Sequence, residues 1–330
     1  MLLFISTILF FNTIFSFAQN EDFDIVILNP TTPVKDQEET GSCWAYAACS
    51  FFESELLRTN KGEHDLSEAF LVYYAYISKG DNYFYRQSQT SFPAGALMHD
   101  AINALEEYGI VPNHSYKGQY LKDGVNDYFE MRDSLKYCLD SALKSPDDNW
   151  HNNYEQILNN YLGELPTSFK TDNSANTPLE YASSIGLECC NYMSFTSFAH
   201  QPFFSNCVLQ IPDNFSSGTF YNLPIEKLIE IIDTALLSGY TFIWNGDVSE
   251  PTFSTSKKGI AMLPKRNEHG ELVFEIDVNE IPTSQQLRQI QFEKLDERPQ
   301  IKALVVHFEE IFPYLSIDRI ALLYKRRKGD

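Results

Sequence analysis

The chain has 330 residues, which fits one two-lobed unit, and 43% of them are hydrophobic, including 25 Phe and 19 Tyr. A sizeable core is therefore expected and wholesale disorder is not. The formal net charge of −20 argues against a nucleic-acid partner, which needs clustered Lys and Arg, and disfavours anionic membrane surfaces.

Residues 2–17 form an apolar run, and Ser16 and Ala18 flank Phe17 in a small-x-small pattern. This reads as a secretory signal peptide over residues 1–18, cleaved near Ala18, for a secreted or periplasmic protein. No Lys or Arg precedes Lys35, so only the α-amine charges its start. The other reading is an uncleaved anchor, but the run is short against the roughly 20 apolar residues a bilayer needs. No stable membrane insertion is expected after cleavage.

Residues 19–40 read as extended chain or loop, because Pro30 and Pro33 block a helix. From Cys43 the pattern changes: Trp44, Ala47, Ala48, Phe51, Phe52 and Leu56 recur at helical spacing, with Ser42 placed to cap. A second helix is predicted after Ser67 over 69–77, and a third over 96–108, stopped by Gly109. The polar stretch 121–220 reads as a long insertion, helical around 128–142 and 154–162. Pro224 opens a further helix that Gly239 stops. Strands are predicted over 240–244, 271–278, 303–308 and 320–324. Helices first and strands later make an α+β order.

Six cysteines are present: Cys43, Cys49, Cys138, Cys189, Cys190 and Cys207. Export would permit disulfides, although adjacent Cys189 and Cys190 cannot easily both be structural. No C-x-x-C or Cys/His spacing occurs, so neither a metal nor another cofactor is expected.

Cys43 stands at a predicted helix start, where exposed N–H groups and the helix dipole favour a thiolate. Such a nucleophile also needs a base and a donor for the developing oxyanion. Gln37, six positions earlier on an extended segment, can supply an amide donor beside the Cys43 backbone N–H. The plain alternative is a small buried hydrophobe.

The string Val34-Lys35-Asp36-Gln37-Glu38-Glu39-Thr40-Gly41-Ser42-Cys43-Trp44-Ala45-Tyr46-Ala47 resembles the active-site stretch of papain-like cysteine peptidases. Thr40 replaces the first cysteine of that signature, so the disulfide it makes is absent. That departure is similar to the bleomycin hydrolase and aminopeptidase C branch. Asp65-Leu66-Ser67-Glu68 resembles the family's next helix start, and Phe92-Pro93-Ala94-Gly95-Ala96 its substrate-cleft Gly-Gly loop, with Ala94 replacing a glycine. Ile211-Pro212-Asp213-Asn214, Trp244-Asn245-Gly246-Asp247-Val248-Ser249 and Leu287-Arg288-Gln289 resemble the same branch.

The resemblance implies a two-lobed α+β papain-like fold, a helical lobe plus an antiparallel β lobe that is incomplete. It implies a peptidase domain over 19–292, with the insertion at about 121–220, and a divergent segment over 293–330. It assigns catalysis to Cys43 and Gln37, and the substrate cleft to Gly41, Ser42, Trp44, Ala94 and Gly95. Peptide or protein substrates and a homo-oligomer are the implied partners. The family's H-x-M-like histidine strand and N-S-W-G string do not occur. His307, in Leu304-Val305-Val306-His307-Phe308, is the one histidine on a predicted late strand, in a different context. The rival reading is a pseudopeptidase that keeps the cleft and binds peptides or a partner. An isomerase or transglutaminase-like transferase using the same Cys–His logic is a third.

Overall fold

The computed structural model describes residues 24–37, 40–118, 128–145, 149–171, 174–187 and 192–245, with pieces of strand at 265–266, 272–273 and 324–326. Cys189, Cys190, His307, the expected signal peptide and the expected strand over 303–308 lie outside them.

Helix α1 (Cys43–Arg58) begins at the residue predicted and buries Trp44, Ala45, Ala48, Cys49, Phe52 and Leu56. Ser67 caps α2 (Glu68–Tyr85), its hydroxyl accepting from the Phe70 N–H at 3.1 Å. α2 runs well past the predicted end at residue 77. Its buried stripe continues through Tyr76, Lys79, Gly80 and Tyr83, where a lysine and a glycine interrupt the apolar pattern. α3 (Met98–Tyr108) stops at Gly109, as the sequence indicated.

The two insertion helices, α4 (Tyr128–Lys144) and α5 (Trp150–Leu162), form a hairpin. They bury Tyr128, Met131, Leu135 and Leu139 from one helix and Trp150, Tyr154, Leu158 and Leu162 from the other. This heptad-like spacing turns one apolar face of each toward α2. The hairpin shares a single hydrophobic core with α1, α2 and α3. After β2 (Phe169–Thr171) and β3 (Ser174–Asn176), an antiparallel pair, comes α6 (Pro178–Ile185). Thr177 and Glu180 form its capping box, a start signal that the sequence reading passed over.

β4 (Phe195–Thr196), β5 (Ser205–Val208) and β6 (Thr219–Asn222) make a small sheet in the order β4-β6-β5, with β4 parallel and β5 antiparallel to β6. α7 (Ile225–Leu237) follows. Beyond it the described strands are short: β7 (Lys265–Arg266) pairs with β8 (Leu272–Val273), and β9 (Tyr324–Arg326) pairs with β1 (Asp24–Ile27). The architecture is α+β, and among the described residues the β lobe consists of short strands only. The strand predicted over 240–244 is irregular chain instead. The Asn29 amide captures the Leu236 and Tyr240 carbonyls at 3.0 and 2.7 Å, and Thr241 donates to the Ser54 hydroxyl at 3.1 Å. The Tyr240 carbonyl is thus bonded by a side chain rather than by a strand neighbour. Among the described residues no helix is long and apolar enough to cross a membrane.

At Gly80, α2 leaves room for a ring of the insertion hairpin. A Cβ there would lie 2.8 Å from the Tyr154 ring. Tyr154 is 2% exposed and its hydroxyl donates to the Tyr76 carbonyl at 2.6 Å, so the ring cannot swing away. Gly80→Ala should therefore destabilise the protein by about 2 kcal/mol, the cost of overpacking, despite alanine's better helix propensity. Urea denaturation reads this directly; an unchanged or raised stability would contradict the contact.

Candidate active site

Cys43 is the first residue of α1 and is half-buried. The first turn of α1 holds no acidic residue, so no nearby carboxylate on the helix offsets its positive end. The Ser42 carbonyl accepts from the Ala45 and Tyr46 N–H groups at 2.8 and 3.3 Å. Ser42 does not cap with its side chain, contrary to expectation. Its hydroxyl is bonded to that of Thr40, which also donates to the Gln37 carbonyl at 2.8 Å. Thr40, in the place of the signature's cysteine, thus ties Gln37 to the helix entry by hydrogen bonds.

Gln37 is half-buried at the end of the extended segment 31–37. Two positions before it, Lys35 fastens that segment to both helices. Its ammonium meets Glu68 of α2 at 2.6 Å, Asp65 at 2.6 Å and Glu53 of α1 at 3.5 Å, and donates to the Leu66 carbonyl at 3.2 Å. Glu53 also accepts from the Leu66 N–H at 2.7 Å. Burial works against the ammonium, but Glu68 and then Glu53 hold it protonated above the usual lysine range. With three carboxylates sharing one cation, burial pushes Glu68 up to about 7. Cys49, on the buried side of α1, has its thiol pushed far up by burial and by Glu68 and Glu53.

The predicted cleft residues from separate segments meet beside the helix start. Gly41 has φ +62, and a Cβ there would lie 3.3 Å from the Ala94 Cβ and 3.6 Å from the Phe129 ring. Gly95 faces Asp213 so closely that a Cβ would sit 2.7 Å from the carboxylate. Ser42 and Trp44 are each 2% exposed, so their side chains support this wall from beneath.

Phe129, Asp213 and Lys79 lie beside these residues; Asp213 was part of the Ile211–Asn214 resemblance, and Phe129 and Lys79 were not singled out from the sequence. Lys79 is 2% exposed and donates to the Ala94 carbonyl at 3.0 Å, with its ammonium 4.5 Å from the Tyr76 ring centre, 5.4 Å from Phe215 and 5.8 Å from Trp44. Burial pushes its amine down to about 7, against the pull of Asp100 and Asp213. Burial likewise raises the Asp213 carboxyl, opposed by Lys79. A lysine on the 76/79/80/83 stripe was the signal available for it.

Among the described histidines, His64 bonds Tyr181 at 3.0 Å, His99 bonds Ser216 at 2.8 Å, and His151 stacks on Trp150. Among the described residues no group of three His, Cys, Asp or Glu can hold a metal.

Two outcomes follow from the lysines. Lys35→Met leaves buried carboxylates facing one another and should cost about 3 kcal/mol in chemical denaturation; a loss below about 1 kcal/mol would show the cluster to be solvated like a surface pair. For Lys79 the folded pKa of about 7 lies below the ordinary 10.5. Between those values the unfolded chain holds a proton that the folded chain has released, so stability rises with pH across that window and is flat below it. The wild type should gain on Lys79→Met in unfolding free energy from pH 7 toward pH 10.5. A constant gap would rule out a titrating buried amine.

Residues 20–200, more than half of the chain, match the family described as "Papain family cysteine protease". Among curated proteins, "Cysteine proteinase 1, mitochondrial" of Saccharomyces cerevisiae is 29% identical over 115 residues, covering 29% of this chain and 24% of that protein. Falcipain-2b of Plasmodium falciparum is 32% identical over 136 residues, covering 39% of this chain and 25% of that protein. The chain thus spans about a quarter of the length of these curated relatives. Among solved structures, PepW from Lactobacillus rhamnosis matches with a TM-score of 0.56 at 18% identity, covering 69% of this chain and 61% of that one. That is a likeness of fold.

Proposed function

We propose, from the premise that the chain belongs to the papain family of cysteine proteases, that it hydrolyses peptide bonds through the Cys43 thiolate. The observation that carries this is the half-buried thiol at the head of α1, two positions from where Gly41 meets Ala94. The sequence resemblance further points to the bleomycin hydrolase and aminopeptidase C branch.

In the proposed reaction the Cys43 sulfur attacks the scissile carbonyl carbon and a C–S bond forms. The carbonyl oxygen becomes an oxyanion, accepting from the Gln37 side-chain amide and the Cys43 N–H. Collapse breaks the C–N bond, and the amine leaves with a proton supplied by a general acid. Water then cleaves the thioester, returning the thiolate. A histidine is the natural proton carrier. His307 is the sequence candidate for it and lies outside the described residues.

One feature favours a second reading: the chain contains no N-S-W-G string or H-x-M-like histidine strand. A chain without the base would keep the cleft and bind peptides or a partner without turnover. An exported location, drawn from the apolar run 2–17, and a homo-oligomeric state complete the proposal.

A vinyl-sulfone thiol probe at neutral pH tests both readings. One equivalent should attach to Cys43 and none to Cys49, whose buried thiol is held neutral. Cys43→Ala should abolish labelling and lower turnover of a dipeptide reporter by about a thousandfold or more. Labelling without turnover in the wild type would favour the binding protein. Failure to label Cys43 would end the nucleophile assignment.

A further inference from the structure

We propose that the buried Lys79 ammonium is the positioning group of the substrate-cleft loop: by holding the Ala94 carbonyl, it keeps Ala94 and Gly95 in the place where a peptide is received. This deepens the peptidase reading and rests on it, since the cleft role of that loop comes from the papain-family resemblance.

Between α2 and α3, residues 91–97 form neither helix nor strand, so the course of this loop depends on bonds to its surroundings. At one end the Ser91 hydroxyl donates to the Pro212 carbonyl at 3.1 Å. At the other the Leu97 N–H donates to the Asp100 carboxylate at 2.9 Å, in the capping box of α3. Between them the Ala94 carbonyl accepts from Lys79 Nζ at 3.0 Å. The loop has little room here. The Ala94 methyl is 3.3 Å from where a Gly41 Cβ would lie, and a Cβ on Gly95 would sit 2.7 Å from the Asp213 carboxylate. The lysine holds the middle of the loop in that narrow place.

The surroundings of Lys79 favour a cation over a neutral donor. Its nitrogen lies 4.5 Å from the Tyr76 ring centre, 5.4 Å from Phe215 and 5.8 Å from Trp44, and aromatic rings attract an ammonium. Trp44 follows Cys43 in α1, so the charge that holds the loop also reaches the second residue of the nucleophile's helix. Asp100 on α3 and Asp213 both favour the charge, and burial opposes it. His99, next to Asp100, bonds Ser216, and the Tyr76 phenol is pushed up by burial and keeps its proton. The balance brings the Lys79 amine down to about 7, so ammonium and amine exchange near neutral pH. A charge-assisted bond to a carbonyl is about twice as strong as a neutral one. The loop is therefore held more firmly while the proton is on.

The test uses the full chain with a capped, uncharged peptidyl vinyl sulfone and with iodoacetamide as a peptide-free reagent. Second-order labelling rates at Cys43 are read by intact mass. Both reagents consume the thiolate, so the ratio of their rates cancels its ionisation and reports how well the peptide is received. In the wild type the ratio should fall about fivefold from about pH 6 to about pH 8.5, as Lys79 loses its proton. Lys79→Met should give the low ratio at every pH, and Lys79→Arg, a cation throughout, should show no fall. A flat wild-type ratio would overturn the positioning role while leaving the peptidase reading intact; a lysine that serves packing alone gives that result, whatever Lys79→Met does. A fall that survives in either variant would assign the proton to another group, His99 or Asp213 among them, and overturn it too. So would a Lys79→Met ratio equal to that of the wild type at about pH 6. The wild-type profile decides even where a variant does not fold. If iodoacetamide labels Cys43 and the peptidyl probe does so at no pH, the peptidase reading falls, and this inference with it.

Discussion

One ammonium group governs how this site is assembled. Lys35 reaches Glu68, Asp65 and, at longer range, Glu53, and so joins an extended segment to two helices, beside the bonds of Thr32 to Glu53 and of Ser54 to the Pro30 carbonyl. Extended chain has no internal hydrogen bonds to hold its course, and residues 31–37 form no strand. A charge-assisted anchor in a half-buried position supplies that fixity, because the carboxylates cannot be left without a cation in low dielectric. Gln37 is two positions along from this anchor and is closed onto the helix entry by the Thr40 hydroxyl. The Gln37 backbone is thus held by charge on one side and by a hydroxyl on the other.

The two cysteines of α1 show how far position decides chemistry. Cys43 is the first residue of the helix, with no carboxylate in its first turn. Cys49 lies on the buried face of the same helix, among the carboxylates that serve Lys35, and its thiol is held neutral. The two thiols share one helix but not one environment: Cys43 is half-buried and Cys49 fully buried.

Much of the helical lobe could be read from the chain, because its signals are local. Cys43 as a helix start, Ser67 as a cap, Gly109 as a stop and the two insertion helices each depend on a few neighbouring residues. The misreadings have non-local causes. α2 outran its predicted end because Lys79 and Gly80 are buried by partners from α5 and from residues near 94 and 215, which a periodicity count cannot see. Residues 240–244 looked like a strand because their apolar content is right; the Tyr240 carbonyl instead accepts from the Asn29 side chain, distant in sequence. At the site, Gly41, Ala94 and Gly95 were legible through the resemblance. Phe129 was not, since its approach to Gly41 exists only once the insertion has docked.

The approach of Gly80 to Tyr154 has a bearing on how the insertion is regarded. A loop added late to a finished domain leaves the older surface as it was, with ordinary residues beneath it. Here a helix in the first lobe gives up a side chain to seat a ring from the hairpin, and a tyrosine hydroxyl bonds to that helix's own backbone. The two parts have been shaped to each other. Excising the hairpin would open a trench along α2 lined by aromatic rings. A relative without the hairpin would have no cause to retain glycine at the middle of that helix.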